Sequence, residues 1–181
     1  MRKIEIVPYQ PSWAHSFQQL NLHFKQALSH VNVSIEHIGS TSVVGLPSKP
    51  VIDVLIIIES NKNLKEIIEA LKSIGYSYHG NQGIEDREVF KASKESLFPI
   101  HHVYVSYPYT ISTRNHLTLR NHLRNNIDDR DQYGKLKCEL ARSYPYDIDS
   151  YIKGKTHFIL DILSRYTFNE EELNAIRNQN T

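Results

Sequence analysis

Residues 51–58 form an almost wholly apolar run that carries a single charge, Asp53. An apolar run of this length is typical of a β-strand that is buried on both faces. A carboxylate inside such a strand is costly unless it is paired with a cation, hydrogen-bonded or bound to a metal ion. The segment therefore predicts a buried strand in which Asp53 has a partner: Lys49, Arg87, a histidine or a metal.

The other patterns divide the chain into a strand-rich half and a helical half. Apolar residues recur at steps of three or four from Trp13 to Leu28, and they predict an amphipathic helix with Ser12 as its N-cap. Alternating or continuous apolar runs predict strands at 3–7, 33–38, 51–58, 76–79, 87–92 and 100–107. Helical patterns follow at 63–74, 113–126, 130–144, 148–165 and 170–178. The fold class predicted is α/β (α+β), with a strand at the edge, a core sheet of four to five strands and a helical C-terminal half.

The length of 181 residues predicts one domain over 1–181, and no linker or repeat divides it. The single cysteine, Cys138, cannot form an internal disulfide, which favours a reducing, cytoplasmic location. The first residues lack the apolar stretch of a signal peptide, and no apolar run is long enough to cross a membrane. A net charge of +1 argues against nucleic acid as a partner and leaves the oligomeric state undetermined.

The span from residue 37 to residue 55 has the parts of a phosphate-binding corner. A predicted strand runs into a turn of small residues, Gly39, Ser40, Thr41 and Ser42. Glycine lets the backbone approach a phosphate closely, and free backbone N–H groups favour an anion. Lys49 adds a mobile positive charge, and Asp53 is a candidate ligand for Mg²⁺. A Gly-Ser-Thr-Ser turn is common in proteins without any such role.

Several motifs together resemble the GrpB family, whose fold belongs with the nucleotidyltransferase superfamily. The main one is His37-Ile38-Gly39-Ser40-Thr41-Ser42-Val43-x-Gly45-Leu46-x-x-Lys49-Pro50-x-Ile52-Asp53. Others are Val7-Pro8-Tyr9-x-Pro11-x-Trp13, Gly83-Ile84 with Arg87 and Phe90, His101-His102-Val103-Tyr104-Val105, Leu119-Arg120-x-x-Leu123-Arg124 and Tyr151-x-x-x-Lys155-x-x-Phe158-Ile159. The resemblance covers nearly the whole chain and implies a nucleotidyltransferase-like mixed sheet.

The resemblance also implies a chemistry, from which this sequence departs at one position. Nucleotidyltransferases of this superfamily follow a Gly-Ser turn with two carboxylates on the next strand and a third elsewhere, which hold two Mg²⁺ ions against a nucleoside triphosphate. Asp53 has the expected spacing from Gly39 and Ser40, but Leu55 stands where the second carboxylate belongs. Either other ligands complete the site, or the transfer chemistry has been lost.

Candidate ligands for such a site are histidines and an acid, His37, His101, His102 and Glu88. We predict a metal-binding role for His37 together with Asp53. Adjacent strand residues face opposite ways, so His101 and His102 cannot both point into one site, and the pattern favours His102 as the catalytic one. No paired cysteines or His-x-x-x-His support a zinc site.

Cationic side chains are the other candidates. Arg87 can reach a phosphate or neutralise Asp53, and Arg120 and Lys155 are predicted to turn toward the cleft. Lys135, Lys137 and Lys153 are interleaved with acids, which is typical of a solvated helix face. Tyr151 is predicted to pack against the sheet, with stacking on a nucleobase as the alternative.

Two functions remain after these observations. The first is a metal-dependent nucleotidyl or phosphoryl transferase that uses Mg²⁺ and a nucleoside triphosphate with an unknown acceptor. The second is a non-catalytic module that binds the phosphate of a nucleotide or coenzyme A, similar to the GrpB-type domain fused to some bacterial dephospho-coenzyme A kinases. The chain has no Gly-x-x-x-x-Gly-Lys-Ser/Thr loop, so it is not predicted to be that kinase itself.

Overall fold

The computed structural model describes residues 3–60 and 63–179. Its strands are β1 (Val33–Ile38), β2 (Ile52–Ile58), β3 (Tyr76–Tyr78), β4 (Arg87–Ala92) and β5 (His101–Ser106). Its helices are α1 (Ser12–Ala27), α2 (Leu64–Ser73), α3 (Ile111–Asn125), α4 (Ile127–Ser143), α5 (Ile148–Ser164) and α6 (Glu170–Gln179). A single 3₁₀ turn, Ser40–Ser42, follows β1.

The strands form one mixed sheet in the order β1-β2-β5-β4-β3. Strands β2 and β5 are parallel, and the other neighbours are antiparallel. The parallel register places Asp53 beside His102 and Leu55 beside Tyr104. Neighbours in register share a face of the sheet, so these four side chains lie on the same side.

Helices cover the two faces of the sheet differently. On one face, the apolar side of α1 packs with Leu20 and Phe24 against Val54 and Val103 in the main core. On the other face, α3 lies over Asp53 and its neighbours, and it is held by a salt bridge from Arg120 to β1. Helices α4 and α5 pack beside α3 around a second core. The polar position in the apolar strand β2 therefore faces the helical half.

The predicted fold class is confirmed: a mixed sheet precedes a helical C-terminal half, and the strand count is five. The predicted edge strand at 3–7 is wrong, because the described part of this segment makes only an isolated bridge from Val7 to Ser48 and a backbone hydrogen bond from Ile4 to the carbonyl of Pro145. The side chain of Ile4 instead joins a small core with Tyr151. The predicted N-cap is also wrong, since α1 begins at Ser12 itself after Pro11.

The prediction of one domain over 1–181 remains a prediction, and positions 1, 2, 61, 62, 180 and 181 lie outside the described residues. No helix within 3–60 and 63–179 is long and apolar enough to cross a bilayer.

Candidate functional site

A cleft of about 250 Å³ opens where the turn after β1 meets the start of β2 and the helices α3, α4 and α5. We call it the central cleft and define it by Gly39, Ser40, Asp53, His102, Lys137 and Lys155. Its walls combine one carboxylate with several cations.

Gly39 occupies a backbone conformation that other residues avoid, with φ +69° and ψ −177°. A Cβ atom at this position would lie 2.2 Å from Oδ2 of Asp53. The missing side chain therefore lets the backbone of the turn lie directly against the carboxylate. Ser42 fixes the turn by donating its hydroxyl to the Gly39 carbonyl at 2.6 Å.

Two hydroxyl groups of the turn make hydrogen bonds inside the protein, and the third, that of Ser40, belongs to a residue that lines the cleft. Those of Thr41 and Ser42 are used inside the protein: Thr41 donates to the carbonyl of Val51 at 3.0 Å, and both residues are buried. Only Gly39 and Ser40 of the predicted phosphate-binding turn line the central cleft. The guanidinium of Arg124 holds the turn from outside by donating to the carbonyl of Ser42.

His37 lies away from the central cleft. Its ring stacks on Phe17, with centroids 4.6 Å apart, on the face of the sheet opposite to Asp53. The single hydroxyl hydrogen of Thr41 goes to Val51, so Nε2 of His37 donates to that hydroxyl at 3.1 Å and carries a proton. Burial lowers the pKa of His37 to about 4, which keeps the ring neutral. The structure does not bring His37 and Asp53 together as joint ligands.

Asp53 has a histidine as its partner. Nδ1 of His102 lies 3.0 Å from Oδ1 of Asp53, and the two side chains are 52% and 25% exposed. A carboxylate oxygen accepts, so Nδ1 carries the hydrogen, and in the neutral ring Nε2 is the nitrogen with the lone pair. His101 faces the other side of the sheet, where its ring bonds the hydroxyl of Tyr76 and the carbonyl of Pro99. Of the two adjacent histidines, His102 is the one that faces the cleft.

Three lysines line the central cleft: Lys49 before β2, Lys137 on α4 and Lys155 on α5. The ring of Tyr151 lies beneath two of them, with Nζ of Lys155 at 4.6 Å and Nζ of Lys49 at 5.6 Å from its centroid. The predicted packing role of Tyr151 is therefore combined with contact to two ammonium groups, a favourable cation–π arrangement.

The pKa values of two of these lysines are depressed. Burial, followed by the charges of Lys155 and Lys49, lowers the pKa of Lys137 to about 7. Burial and the charge of Lys49 lower the pKa of Lys155 to about 8, against the opposing effect of Asp53. When the three lysines are protonated, the described walls of the cleft hold more positive charge than Asp53 can balance, as expected of an anion site.

The two arginines predicted for the site have partners of their own. Arg120 lines the central cleft, but its guanidinium donates to Glu36 at 2.7 Å and to the carbonyl of His37 at 3.0 Å. Arg87 lies on β4 above the ring of Tyr104, 5.0 Å from the centroid, and is not part of the cleft wall. Arg87 does not pair with Asp53, and it does not reach the wall of the cleft where a phosphate was predicted to bind.

Lys137 and His116 line the central cleft although the sequence did not single them out. Lys137 is only 2% exposed and donates to the carbonyl of Pro47, so the solvated face predicted for it is wrong. Its burial could have been recognised from its spacing, because Lys137 lies four residues after the buried Tyr133 and therefore on the same inner face of α4. His116 stacks on Tyr104 with centroids 6.0 Å apart, and burial lowers its pKa to about 4.

The residues present do not fit a two-ion site. Leu55 is fully buried where a second carboxylate would stand, and Asp53 is the only carboxylate that lines the cleft among the described residues. Within 3–60 and 63–179, no group of three histidine, cysteine or acidic side chains is placed to hold a metal ion. The charged side chains that accompany Asp53 and His102 in the wall of the cleft are three lysines and Arg120.

The sequence profile described as "GrpB protein" matches residues 3–165. The chain is 33% identical over 158 residues to the UPF0157 protein YqkA of Bacillus subtilis. That alignment covers 87% of this chain and 46% of YqkA. The chain thus spans about half the length of that relative. It is 26% identical over 183 aligned positions to dephospho-CoA kinase of Mycobacterium tuberculosis, covering 88% of this chain and 45% of the kinase.

Solved structures show the same fold. The crystal structure of the conserved protein GrpB from Enterococcus faecalis superposes with a TM-score of 0.77 at 33% identity, covering 97% of this chain and 99% of that one. The Cid1 poly(U) polymerase with MgGTP bound superposes with a TM-score of 0.54 at 13% identity, covering 76% and 44% of the two chains. At that identity the second match shows a nucleotidyltransferase-like fold and nothing further.

Proposed function

The chain belongs to the GrpB family, and from that premise we propose that its central cleft binds the phosphates of a nucleoside triphosphate and transfers a nucleotidyl or phosphoryl group to an acceptor hydroxyl. One observation carries the proposal: lysines from three separate parts of the chain converge with the Gly39–Ser40 turn on the pair formed by Asp53 and His102. The fold, which is nucleotidyltransferase-like, is consistent with this chemistry.

The arrangement of the lysines supports phosphate binding. Lys137 is buried and Lys155 is partly buried, and the mutual repulsion of the cluster contributes to their lowered pKa values. A polyanion would relieve that repulsion and accept charge-assisted hydrogen bonds, each contributing about 1.5–3 kcal/mol. Gly39 and Ser40 would meet the same phosphates with a close backbone and a hydroxyl.

The arrangement of Asp53 and His102 supports a transfer reaction. Asp53 fixes the ring so that Nε2 can take a proton from an attacking hydroxyl. In nucleotidyl transfer, the acceptor oxygen forms a bond to the α-phosphorus, and the bond from that phosphorus to the departing pyrophosphate oxygen breaks. The proton moves to Nε2 of His102, and the lysines hold the charge of the pyrophosphate. This gives His102 the role of catalytic base and Asp53 that of its positioning residue.

The second candidate is a binding module without chemistry, and Leu55 favours it. With one carboxylate on β2, the standard two-ion mechanism of the fold is not supported. The same cleft would then hold the phosphates of a nucleotide or of a coenzyme A precursor. The similarity to part of a dephospho-CoA kinase is in keeping with this accessory role.

A thermal-shift and turnover experiment on wild type and Asp53→Asn separates the two functions. The four nucleoside triphosphates are each tested with and without Mg²⁺, and release of pyrophosphate and of phosphate is measured alongside. A ligand at 100 times its dissociation constant stabilises the protein by about 2.7 kcal/mol, so binding will be visible at millimolar concentrations. We expect binding in both proteins and at least a ~100-fold slower turnover in Asp53→Asn, because asparagine no longer holds the required tautomer of His102.

The matched control is Asp131→Asn, which removes an exposed carboxylate paired with Arg130 outside the cleft. It should bind and turn over nucleotide as the wild type does. Binding without release of pyrophosphate or phosphate in the wild type would favour the accessory module. No response to any nucleotide would overturn both functions.

Anion affinity should fall as the pH rises above about 7. Below that pH, Lys137 and Lys155 are both protonated, since burial and neighbouring lysines set their pKa values at about 7 and about 8. At higher pH these lysines lose their protons in the free protein, so the protein has to take protons up again when the anion binds. For each proton taken up, the affinity falls by up to about tenfold per pH unit. Calorimetric titration with sulfate, whose charge is constant over this range, measures the slope from pH 6 to 9. A flat profile would contradict the assignment of these lysines to the anion site.

A further inference from the structure

A second groove, of about 360 Å³, adjoins the central cleft. The two share a wall made of Lys49, Val51 and His102. We call it the apolar groove, because its remaining surface is largely Ile4, Pro50, Ile100, Tyr146 and Ile148, with Lys3 and Glu5 at the N-terminal side. Its size is within the range of small-molecule sites.

Three apolar side chains of this groove are exposed to solvent. Ile100 is 48% exposed, Tyr146 is 56% exposed and Ile148 is 41% exposed. They come from two separate places: Ile100 immediately precedes β5, and Tyr146 and Ile148 lie together at the start of α5. Scattered exposed apolar residues need no explanation, but a concave group beside a charged cleft marks a binding surface.

His102 stands at the junction of the two spaces. Its Nδ1 is held by Asp53, and no hydrogen bond to its Nε2 occurs within the described part of the chain. A general base has to be within hydrogen-bond reach of the proton that it removes. Since the base is shared by both spaces, the phosphate lies on one side of it and the molecule that supplies the hydroxyl can lie on the other.

The nucleobase does not require the apolar groove. The central cleft has apolar walls of its own, formed by Leu119, Leu123 and Tyr133. The ring centroid of Tyr133 lies 5.0 Å from Nζ of Lys137, so apolar surface on which a nucleobase could pack adjoins the lysines. The neighbouring groove is then available for the second substrate.

We propose that the apolar groove is the acceptor site, and that the acceptor is a small molecule whose hydroxyl adjoins an aromatic or aliphatic group. The proposal rests on the proposed function. The apolar part would pack on Ile100, Tyr146 and Ile148, which places the hydroxyl at Nε2 of His102. The hydroxyl oxygen then attacks the phosphorus held in the central cleft, its proton moves to Nε2, and pyrophosphate leaves toward the lysines.

The test uses benzyl alcohol as an apolar acceptor and glycerol as a polar one. Saturation-transfer NMR measures binding of each alcohol in the presence of tripolyphosphate, and the esters formed from labelled nucleoside triphosphate are quantified. We expect benzyl alcohol to bind and to be used at least ~10-fold better than glycerol. In the variants Tyr146→Ala and Ile100→Ser, the preference should disappear, whereas the affinity for tripolyphosphate and for nucleotide stays within about twofold.

Tyr109→Ala is the matched control, because Tyr109 is 88% exposed and lies outside both spaces. Failure of benzyl alcohol to bind the wild type, or unchanged use of it by the groove variants, would overturn the acceptor site alone. If the groove variants lost affinity for nucleotide but kept affinity for tripolyphosphate, the acceptor site would also be overturned, and the groove would be assigned to the nucleobase. Failure of tripolyphosphate to bind the wild type would overturn the proposed function and the acceptor site with it.

Discussion

Replacement of Gly39 by alanine is expected to abolish phosphate binding and to destabilise the protein by about 2–6 kcal/mol. The backbone strain at φ +69° and ψ −177° accounts for about 1–3 kcal/mol of this. Overpacking against the Asp53 carboxylate, which a Cβ would approach to 2.2 Å, adds about 1–3 kcal/mol. The turn or the carboxylate has to move, and either shift disrupts the corner where we place the phosphates. Thermal denaturation and titration with tripolyphosphate measure the two effects.

Gly80→Ala is the matched control for this prediction. Gly80 has nearly the same φ, +68°, but a Cβ there would meet nothing within 4 Å. We expect a loss of about 1–3 kcal/mol from backbone strain alone and no change in phosphate affinity. Equal destabilisation of the two variants would show that contact with Asp53 contributes nothing at Gly39.

Lys137→Met is expected to weaken anion binding and to stabilise the protein at the same time. Removing one charge-assisted hydrogen bond to phosphate costs about 1.5–3 kcal/mol, which is about a 10- to 100-fold loss of affinity. The folded protein without ligand, however, holds the ammonium group buried beside Lys155 and Lys49. Methionine has a similar volume and no charge to desolvate, so stability at pH 7 should rise by about 1–3 kcal/mol.

The pH dependence of stability checks the cause of that gain. Burial lowers the pKa of Lys137 to about 7 in the folded protein, whereas a solvated lysine of the unfolded chain keeps the ordinary value of 10.5. Between these values the unfolded chain binds the additional proton, so this group makes wild-type stability increase from pH 7 to about pH 10. Urea denaturation should show that increase reduced in Lys137→Met.

Lys135→Met is the control, because Lys135 lies two residues away on the exposed side of α4. It should leave both anion affinity and stability within about 0.5 kcal/mol of the wild type. A variant Lys137→Met that lost stability and kept its affinity would mean that this lysine serves packing and the Pro47 hydrogen bond only.

Most elements of the fold could be predicted because local patterns determine them. The apolar run of β2 is typical of a strand buried on both faces, and the apolar stripe on α1 is typical of a helix buried on one face. Both elements begin and end within one residue of the predicted bounds. The predicted strand at 3–7 is wrong because a strand also depends on contacts with a distant part of the chain. An alternating pattern indicates a strand only if a neighbouring edge is available, and here Ile4 packs against Tyr151 while Val7 alone meets Ser48.

The site could be predicted in part. The Gly39–Ser40 turn and Asp53 lie within one short span of sequence, so their proximity followed from local order. Alternation along the strand predicted that His101 and His102 face opposite ways, and the register that places His102 beside Asp53 decided which of them faces the cleft. Lys137 could not be identified in this way, because a lysine among acids is usually solvated, and its burial depends on how α4 packs against the loop before β2.

The family, the order of the elements and the Gly39–Ser40 turn next to Asp53 can all be read from the sequence, because each depends on residues that are close together or on their periodicity. The partner of Asp53, the separation of His37 from it and the convergence of Lys49, Lys137 and Lys155 required the folded chain. These depend on strand register and helix packing between residues distant in sequence. Charges act through space, so the electrostatic character of the cleft is set by contacts that no local pattern specifies.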